Sequence, residues 1–210
     1  MHSAQLPWRT ADSRSLLIFV GLLFFASGFA ALLYQIAWQR TLFGWFGVDL
    51  DSVSTIVSIF MLGLGVGAIV GGWLADRFAH RRIQVFSFIE FTIGLFGLFS
   101  LEIIDYVGVS FVANSLIQIV ILTFVMILVP TCAMGATLPV LVTELVERTQ
   151  NVGLSTGSLY FINTLGASAG AFAAGFVLLP IAGLDVLVLT AAALNLSISV
   201  VAYIAFQRGI

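Results

Sequence analysis

Long apolar runs without a charged residue make up most of this chain, and the few charges collect in the short segments between them. A helix needs about 20 mostly apolar residues to cross a hydrocarbon core of ~30 Å, since it rises ~1.5 Å per residue. A spanning helix satisfies its backbone hydrogen bonds internally, which lipid cannot do for irregular structure. The pattern therefore predicts an all-α membrane protein.

The composition excludes several other classes. Hydrophobic residues form 60% of the 210 residues, the mean hydropathy is +1.14, and all eight basic residues are arginines. In a soluble globular domain roughly a quarter of the residues are charged, and a disordered chain is far more polar. A nucleic-acid partner is not expected, because the net charge is −2 and the arginines are scattered.

The positions of the charges predict six transmembrane helices between a short N-terminal segment, 1–14, and a tail, 207–210. The first apolar run is too long for a signal peptide, the alternative interpretation, so we expect it to stay in the mature chain. Pro180 and Gly183 are expected to end the fifth helix, and 106–113 to lie at the interface before the fourth. The predicted helices are about 15–39, 52–75, 83–104, 114–143, 156–179 and 186–206.

The arginines also predict an orientation. Cytoplasmic loops of membrane proteins retain positive charge. With six crossings only Arg40 falls on one side, and the other seven arginines fall on the opposite side: Arg9, Arg14, Arg77, Arg81, Arg82, Arg148 and Arg208. Both termini are therefore expected in the cytoplasm.

Metal and redox chemistry have few candidate residues. Cys132 is the single cysteine, which excludes a disulfide within the chain, and His2 and His80 are the two histidines. No nucleophile with its base and no cofactor-binding loop stands out. We expect no metal, no cofactor and no enzyme activity.

Two stripes of small residues predict where helices pack closely. Association of membrane helices depends on small residues that let backbones approach. The second predicted helix carries Gly63, Gly67 and Gly71, and the fifth carries Gly166 and Gly170. Both stripes are expected to face other helices, although such a face also permits helices to slide.

Glu90 is the one ionisable residue well inside a predicted span. A charged side chain at this depth costs at least ~2.5 kcal/mol. Gly94 and Gly97 share its helix face, which directs it towards a neighbouring helix or a cavity. Two hypotheses stay open, a site that binds a proton or cation and an interhelical hydrogen bond.

Other polar or amphipathic residues lie in or near the spans. Tyr34 and Gln35 could line a cavity or anchor the first helix at the interface, and Asn163 is expected to form an interhelical hydrogen bond. With Glu90 they form the candidate set for substrate binding or proton coupling. The tryptophans fall near span ends and are expected in the interfacial belt: Trp8, Trp38, Trp45 and Trp73.

The segment Gly72-Trp73-Leu74-Ala75-Asp76-Arg77, followed by Arg81 and Arg82, resembles the loop between helices two and three of the major facilitator superfamily. The resemblance implies that these Asp and Arg residues bridge helix ends on the cytoplasmic face and help to hold one conformation. Ala79 stands where the motif has Gly, and His80 where it has a basic residue.

Further segments resemble the membrane domain that is fused to spermidine-synthase-like proteins in bacteria. They are 27–40 (SGFAALLYQIAWQR), 130–139 (PTCAMGATLP), 160–167 (YFINTLGA) and 175–180 (GFVLLP). The resemblance implies half of a major facilitator fold, a three-plus-three inverted repeat, in a bacterial inner membrane. The synthase domain is expected to be absent from this chain, which ends at Ile210.

Two functions remain open from the sequence. The first is a half-size transporter that pairs with itself or another half and moves a small solute, such as a polyamine-like cation, with Glu90 as the coupling or substrate-binding carboxylate. The second is a noncatalytic accessory or scaffold subunit of a larger membrane complex, which the small number of polar residues in the spans favours.

Overall fold

The computed structural model describes residues 12–46, 50–111 and 116–207, and its regular structure is helical throughout. A short 3₁₀ turn, Ala79–Arg81, precedes the third helix, and a π-helical segment, Ala174–Leu178, precedes the sixth. Trp8, Arg9 and Arg208 lie outside the described residues. The α-helices of the described chain are α1 (Asp12–Phe46), α2 (Leu50–Arg77), α3 (Arg82–Phe111), α4 (Leu116–Thr149), α5 (Val152–Ala173) and α6 (Leu179–Gln207).

Five segments of the described chain are long and apolar enough to cross a bilayer. The last of them has 54 residues and includes α5, the π-helical segment and most of α6. The predicted membrane character is confirmed, with five candidate spans where the sequence predicted six. The segments are Leu16–Trp45, Ile56–Arg77, Ala79–Val109, Phe124–Thr149 and Val152–Ala205.

The helices extend beyond the apolar runs from which they were predicted. α1 continues to Phe46 and α4 to Thr149, and α3 continues to Phe111. Tyr106 therefore belongs to α3 and does not begin a separate segment before the fourth helix. The physical reason is that a charge ends the lipid-compatible run, while the helix continues into the more polar interface, where Asp105 is tolerated.

The helical chain that runs from α5 into the first residues of α6 breaks at Gly183, one of the two predicted residues. Gly183 has φ 78° and ψ −174°, a conformation that glycine adopts without a steric penalty. Pro180 remains within helical structure, so the expectation that it ends the helix was wrong. Proline has no N–H to donate to the carbonyl one turn earlier, and the wider π-helical turn of Ala174–Leu178 lies directly before it.

The helices pack in pairs. The most extensive contacts join α2 to α4, α1 to α5 and α3 to α6. In addition, α3 contacts α4, and α1 contacts α6. The order around the bundle is therefore α2, α4, α3, α6, α1, α5. Large side chains of this bundle are fully buried, among them Phe24, Leu33, Phe86, Ile127 and Leu187.

Both glycine stripes lie at these contacts. Gly63, Gly67 and Gly71 of α2 face α4, where an added Cβ would overlap with Thr131, Cys132 or Ala136. In the same way Gly166 and Gly170 of α5 face the backbone of Phe25 and Phe29 in α1. The backbones therefore approach more closely than any side chain would permit.

Candidate functional site

Glu90 lies on α3 and is fully buried between α1, α3 and α6. It is eight residues from the start of α3, or about 12 Å along the axis. Ser27 Oγ of α1 donates a hydrogen bond of 2.7 Å to Oε1. Asn195 Nδ2 of α6 donates to Oε2. We call Ser27, Glu90 and Asn195 the Glu90 cluster; it ties three helices together.

The local sequence of α3 brings α6 close to this carboxylate. Gly94 is one turn from Glu90, and a Cβ at that position would lie 3.1 Å from the backbone nitrogen of Leu196 in α6. One turn on the other side, Ser87 Oγ donates to the carbonyl oxygen of Ser199 at 2.8 Å. The contact between α3 and α6 therefore combines a close backbone approach at Gly94 with polar groups on one side of it.

The carboxylate of Glu90 is held by neutral donors. Among the described residues no arginine lies within ion-pair distance of it. An uncompensated charge in a low-dielectric interior is costly, and hydrogen bonds to the carboxylate offset part of that cost. The arrangement can hold either a carboxylate or, after proton uptake, a neutral acid, and can thus serve proton binding.

Two polar atoms near this contact are buried and have no hydrogen-bond partner among the described residues: Asn195 Oδ1 and the hydroxyl of Tyr34. Most buried polar groups in proteins have a partner, so each exception calls for an explanation. Asn195 Oδ1 belongs to the same amide that donates to Glu90. One end of that amide is therefore occupied and the other is free.

Tyr34 lies on the same contact between α1 and α3 as Glu90, further from the start of α3. Its ring stacks on Trp38 with centroids 5.1 Å apart, and its hydroxyl lies against Gly97, two turns from Glu90. Trp38 Nε1 donates to Ser100 Oγ at 2.9 Å. Trp38 is only 2% exposed, so its expected place in the interfacial belt was wrong. The indole lies inside the bundle because Ser100 satisfies its N–H.

The other two predicted site residues lie elsewhere. Gln35 is half-buried, and its side chain makes no hydrogen bond to another described residue. Asn163 of α5 faces Gly28, where α5 packs on α1. The structure thus places Tyr34 on the same α1–α3 contact as Glu90, and Gln35 and Asn163 outside the Glu90 cluster.

Sequence reasoning missed Ser27 and Asn195. A signal for Asn195 was present, because it is the one side-chain amide within the predicted sixth span. Polar amides in membrane helices commonly bond across to a neighbouring helix. Ser27 carries no comparable signal, since a serine can return its hydrogen bond to its own helix.

A second cluster of polar side chains lies where α2 and α4 end and α3 begins. Arg82 is 4% exposed, and its Nε donates to the carbonyl oxygen of Ala75 at 2.9 Å. Its Nη1 lies 2.7 Å from Glu147 Oε2, at an angle that does not give a hydrogen bond, and 4.0 Å from Glu144 Oε2. Arg148 Nε donates to the other oxygen of Glu144 at 2.9 Å.

Comparison with known proteins identifies the family. The family model of the Major Facilitator Superfamily matches residues 15–209. The chain belongs to this superfamily. It is also similar to a 3-(3-hydroxy-phenyl)propionate transporter of Escherichia coli (strain K12), at 46% identity over 56 residues. That match covers 27% of this chain and 13% of the transporter. No solved structure matches.

Membership in the Major Facilitator Superfamily supports several of the predictions. The proteins of this superfamily are membrane transporters and not enzymes, which agrees with a multi-pass membrane chain of apolar helices. The match confirms the broader resemblance seen in the loop after α2. The narrower resemblance to the domain fused to spermidine-synthase-like proteins is not shown by these comparisons and stays a prediction.

The loop of this superfamily member uses one of the four predicted motif residues. Arg82 bridges the ends of α2, α3 and α4 through the contacts given above. Asp76, Arg77 and Arg81 are exposed, and within the described part of the chain they make no side-chain hydrogen bond or ion pair. The predicted bridge between helix ends thus involves the carboxylates of α4 and not Asp76.

Proposed function

We propose that the chain is a six-crossing unit of a Major Facilitator Superfamily transporter that moves a small organic solute across a bacterial inner membrane, with Glu90 as its coupling carboxylate. The observation that carries the transport function is the family match over residues 15–209. The similarity to an Escherichia coli transporter supports the bacterial membrane. The accessory-subunit hypothesis is favoured by none of these observations.

The longest candidate span supports two crossings at the C-terminal end. A helix of 54 residues would be about 80 Å long, more than twice the thickness of the hydrocarbon core. The break at Gly183 divides it into two segments of spanning length. With six crossings, the termini lie on the same side of the membrane as four arginines of the described loops and helix ends. Because cytoplasmic loops retain positive charge, these arginines support cytoplasmic termini: Arg77, Arg81, Arg82 and Arg148.

The helix contacts support an inverted repeat in which α1, α2 and α3 correspond to α4, α5 and α6. Three close contacts of α2 with α4 have counterparts between α5 and α1. The α5 positions follow those of α2 by 99 residues, and the α4 positions follow those of α1 by 107. The pairs are Gly67 with Cys132 and Gly166 with Phe25, Gly71 with Ala136 and Gly170 with Phe29, and Leu64 with Gly135 and Asn163 with Gly28.

The same correspondence relates the outer faces of α2 and α5. Exposed positions of α2 become exposed positions of α5 after the shift of 99 residues, among them seven in each helix. They are Ser58, Met61, Leu62, Gly65, Val66, Ile69 and Trp73 in α2, and Gly157, Tyr160, Phe161, Thr164, Leu165, Ser168 and Phe172 in α5. We call these two sets the paired face.

We propose that the paired face contacts a second copy of this chain. A two-fold dimer brings the same surface of each copy together, so α2 of one copy lies against α5 of the other. Small and hydroxyl residues such as Gly65, Thr164 and Ser168 favour contact between membrane helices. A solute path between two six-helix halves requires such a partner.

Disulfide cross-linking tests the pairing. In a Cys132→Ser background, Ile69→Cys and Ser168→Cys chains are co-expressed, and we expect a cross-linked heterodimer after oxidation in membranes. Phe99→Cys, exposed on α3, replaces Ile69→Cys as the control and should give no cross-link. Cross-linking of the control alone, or copurification with a different six-helix protein, contradicts pairing with a second copy.

Transport is tested by exchange in proteoliposomes. Vesicles are loaded with one unlabelled class of solute, and uptake of the labelled compound is followed for an aromatic acid, a neutral sugar and spermidine. We expect saturable exchange of one class, and loss of proton-driven accumulation in Glu90→Gln. No exchange of any class contradicts the transport function. The polyamine hypothesis has no support from the comparisons, and spermidine serves here only to test it.

A further inference from the structure

We propose that the side chain of Asn195 turns over when Glu90 takes up a proton. Its NH₂ group donates to the charged carboxylate, and after the turn its carbonyl oxygen accepts a hydrogen bond from the protonated acid. The inference rests on the proposed function only in taking Glu90 as the coupling carboxylate. It assigns Asn195 as a positioning residue of that proton-binding site.

The hydrogen bonds of the charged state are those in the structure. A carboxylate can only accept hydrogen bonds. Ser27 Oγ donates to Oε1, and Asn195 Nδ2 donates to Oε2. Asn195 is 2% exposed, and its Oδ1 has no hydrogen-bond partner in the part of the chain that the structure describes. The occupied donor and the free acceptor thus lie on one buried amide.

The protonated state needs an acceptor that the charged state leaves free. A proton delivered by a hydronium ion binds Oε2, forms an O–H bond there, neutralises the carboxylate and leaves a water molecule. The bond from Nδ2 to Oε2 is given up, because the new O–H needs an acceptor and Nδ2 can only donate. Rotation of the amide about its last torsion brings Oδ1 of Asn195 to the O–H, which then donates to it.

The number of hydrogen bonds is the same in both states. Before proton uptake the NH₂ group is bonded and the carbonyl is free, and afterwards the carbonyl is bonded and the NH₂ group is free. Ser27 can donate to Oε1 throughout, since this oxygen remains an acceptor in the neutral acid. The three helices therefore stay tied, and the site changes charge without losing a contact.

The surroundings assign the titration to Glu90. On α1 the titratable side chain of this contact is Tyr34, whose hydroxyl lies against Gly97, two turns away. From α6 the carboxylate meets the uncharged Asn195. On α4, Cys132 lies at the contact with Gly67 of α2, and Glu144 lies at the end of the helix. No charged side chain of these elements bonds to Glu90 in the described residues.

Nitrogen-15 labelling of asparagine tests the inference on the whole protein in lipid nanodiscs. The chain has four asparagines, so the side-chain NH₂ region holds four pairs of signals. We expect one pair to shift in a single titration step as the pH is varied. Asn195→Ala should remove that pair, whereas Asn163→Ala should leave it. Tyr34→Phe should also leave the step unchanged.

Glu90→Gln is the decisive variant, because it removes the titrating group and keeps the shape. The pH step of the Asn195 signals should then disappear. If Asn195→Ala does not fold, infrared spectra provide a second test. A protonated carboxyl band should appear in the wild-type protein with the same pH midpoint as the Asn195 signals, and it should be missing in Glu90→Gln. These spectra need no substrate and no second copy, so a failure of the transport assay leaves the inference intact.

Three results overturn it. The first is an Asn195 signal that does not depend on pH while the infrared carboxyl band titrates. The second is a pH step that persists in Glu90→Gln. The third is a shift caused by sodium at constant pH, which indicates a cation site formed by the oxygens of the Glu90 cluster.

Discussion

Gly67 is the position at which the helix packing can be tested most sharply. A Cβ added there would lie 2.8 Å from both the Cα and the carbonyl carbon of Cys132 in α4. Ordinary carbon contacts are about 3.5–4.0 Å, so Gly67→Ala requires α2 and α4 to separate by roughly 1 Å. The obstructing atoms are backbone, which cannot rotate away as a flexible side chain would.

The magnitude follows from two opposing terms. Overpacking a close contact costs about 1–3 kcal/mol, while alanine is favoured over glycine in a helix interior by about 1 kcal/mol. Gly72 provides the matched control, because it lies on the same helix, outside the paired face, with nothing within 4 Å of an added Cβ. Gly72→Ala keeps the helix term and lacks the clash. The two variants should therefore differ by about 1–3 kcal/mol, with Gly67→Ala the less stable.

Thermal unfolding of the purified protein in mild detergent measures the difference. For a chain of this size about 1 kcal/mol corresponds to roughly 2–4 °C, so Gly67→Ala should melt about 2–12 °C below Gly72→Ala. Gly166→Ala, the counterpart in the proposed repeat, should behave as Gly67→Ala does. Equal melting temperatures for Gly72→Ala and Gly67→Ala would refute the close backbone contact.

Three further substitutions test other contacts by the same melting assay. Arg82→Gln should lower stability by about 1–3 kcal/mol, because it removes the hydrogen bond from the buried guanidinium Nε to the carbonyl oxygen of Ala75, whereas the exposed Arg81→Gln should change it by less than about 0.5 kcal/mol. Trp38→Phe should cost about 1–3 kcal/mol, and Ser100→Ala should add little in that background, since both remove one hydrogen bond. Gly183→Ala should cost about 1–2 kcal/mol through its positive φ, and an unchanged melting temperature would contradict that backbone conformation.

The membrane character of the fold could be predicted from the sequence because lipid imposes a minimum apolar length. The ends of the helices could not, since the same charge that ends an apolar run is compatible with a helix that continues into the interface. Gly183 and Pro180 show a similar limit. Both are compatible with a break, and only the tertiary packing determines which backbone departs from helical geometry.

The candidate site could be predicted in part. Glu90 stands out because a lone carboxylate in a span is rare and costly. Its partners depend on which faces of α1 and α6 meet α3, and this is a property of the bundle that one helix cannot show. The prediction for Trp38 was wrong for the same reason. Its depth along α1 fits an interfacial residue, but its side chain points into the bundle.

The proposed correspondence between the two halves shows which residue a close helix contact requires. At the three corresponding contacts the glycine recurs in each half, as Gly67 and Gly166, Gly71 and Gly170, and Gly135 and Gly28. The residues opposite them differ in each case, because a close backbone approach needs a missing side chain on one side only. An inverted repeat can therefore persist in the packing when little identity remains along the chain.

The contact of α3 with α6 is the one major pair that this correspondence maps onto itself, since each helix is the counterpart of the other. Glu90 and Asn195 meet there, an acid on one half and a neutral amide on the other. Two carboxylates at this contact would repel each other, and two amides could not titrate. A single acid paired with an amide combines one exchangeable proton with a partner that can both donate and accept. The proposed proton binding thus depends on a departure from symmetry at this contact.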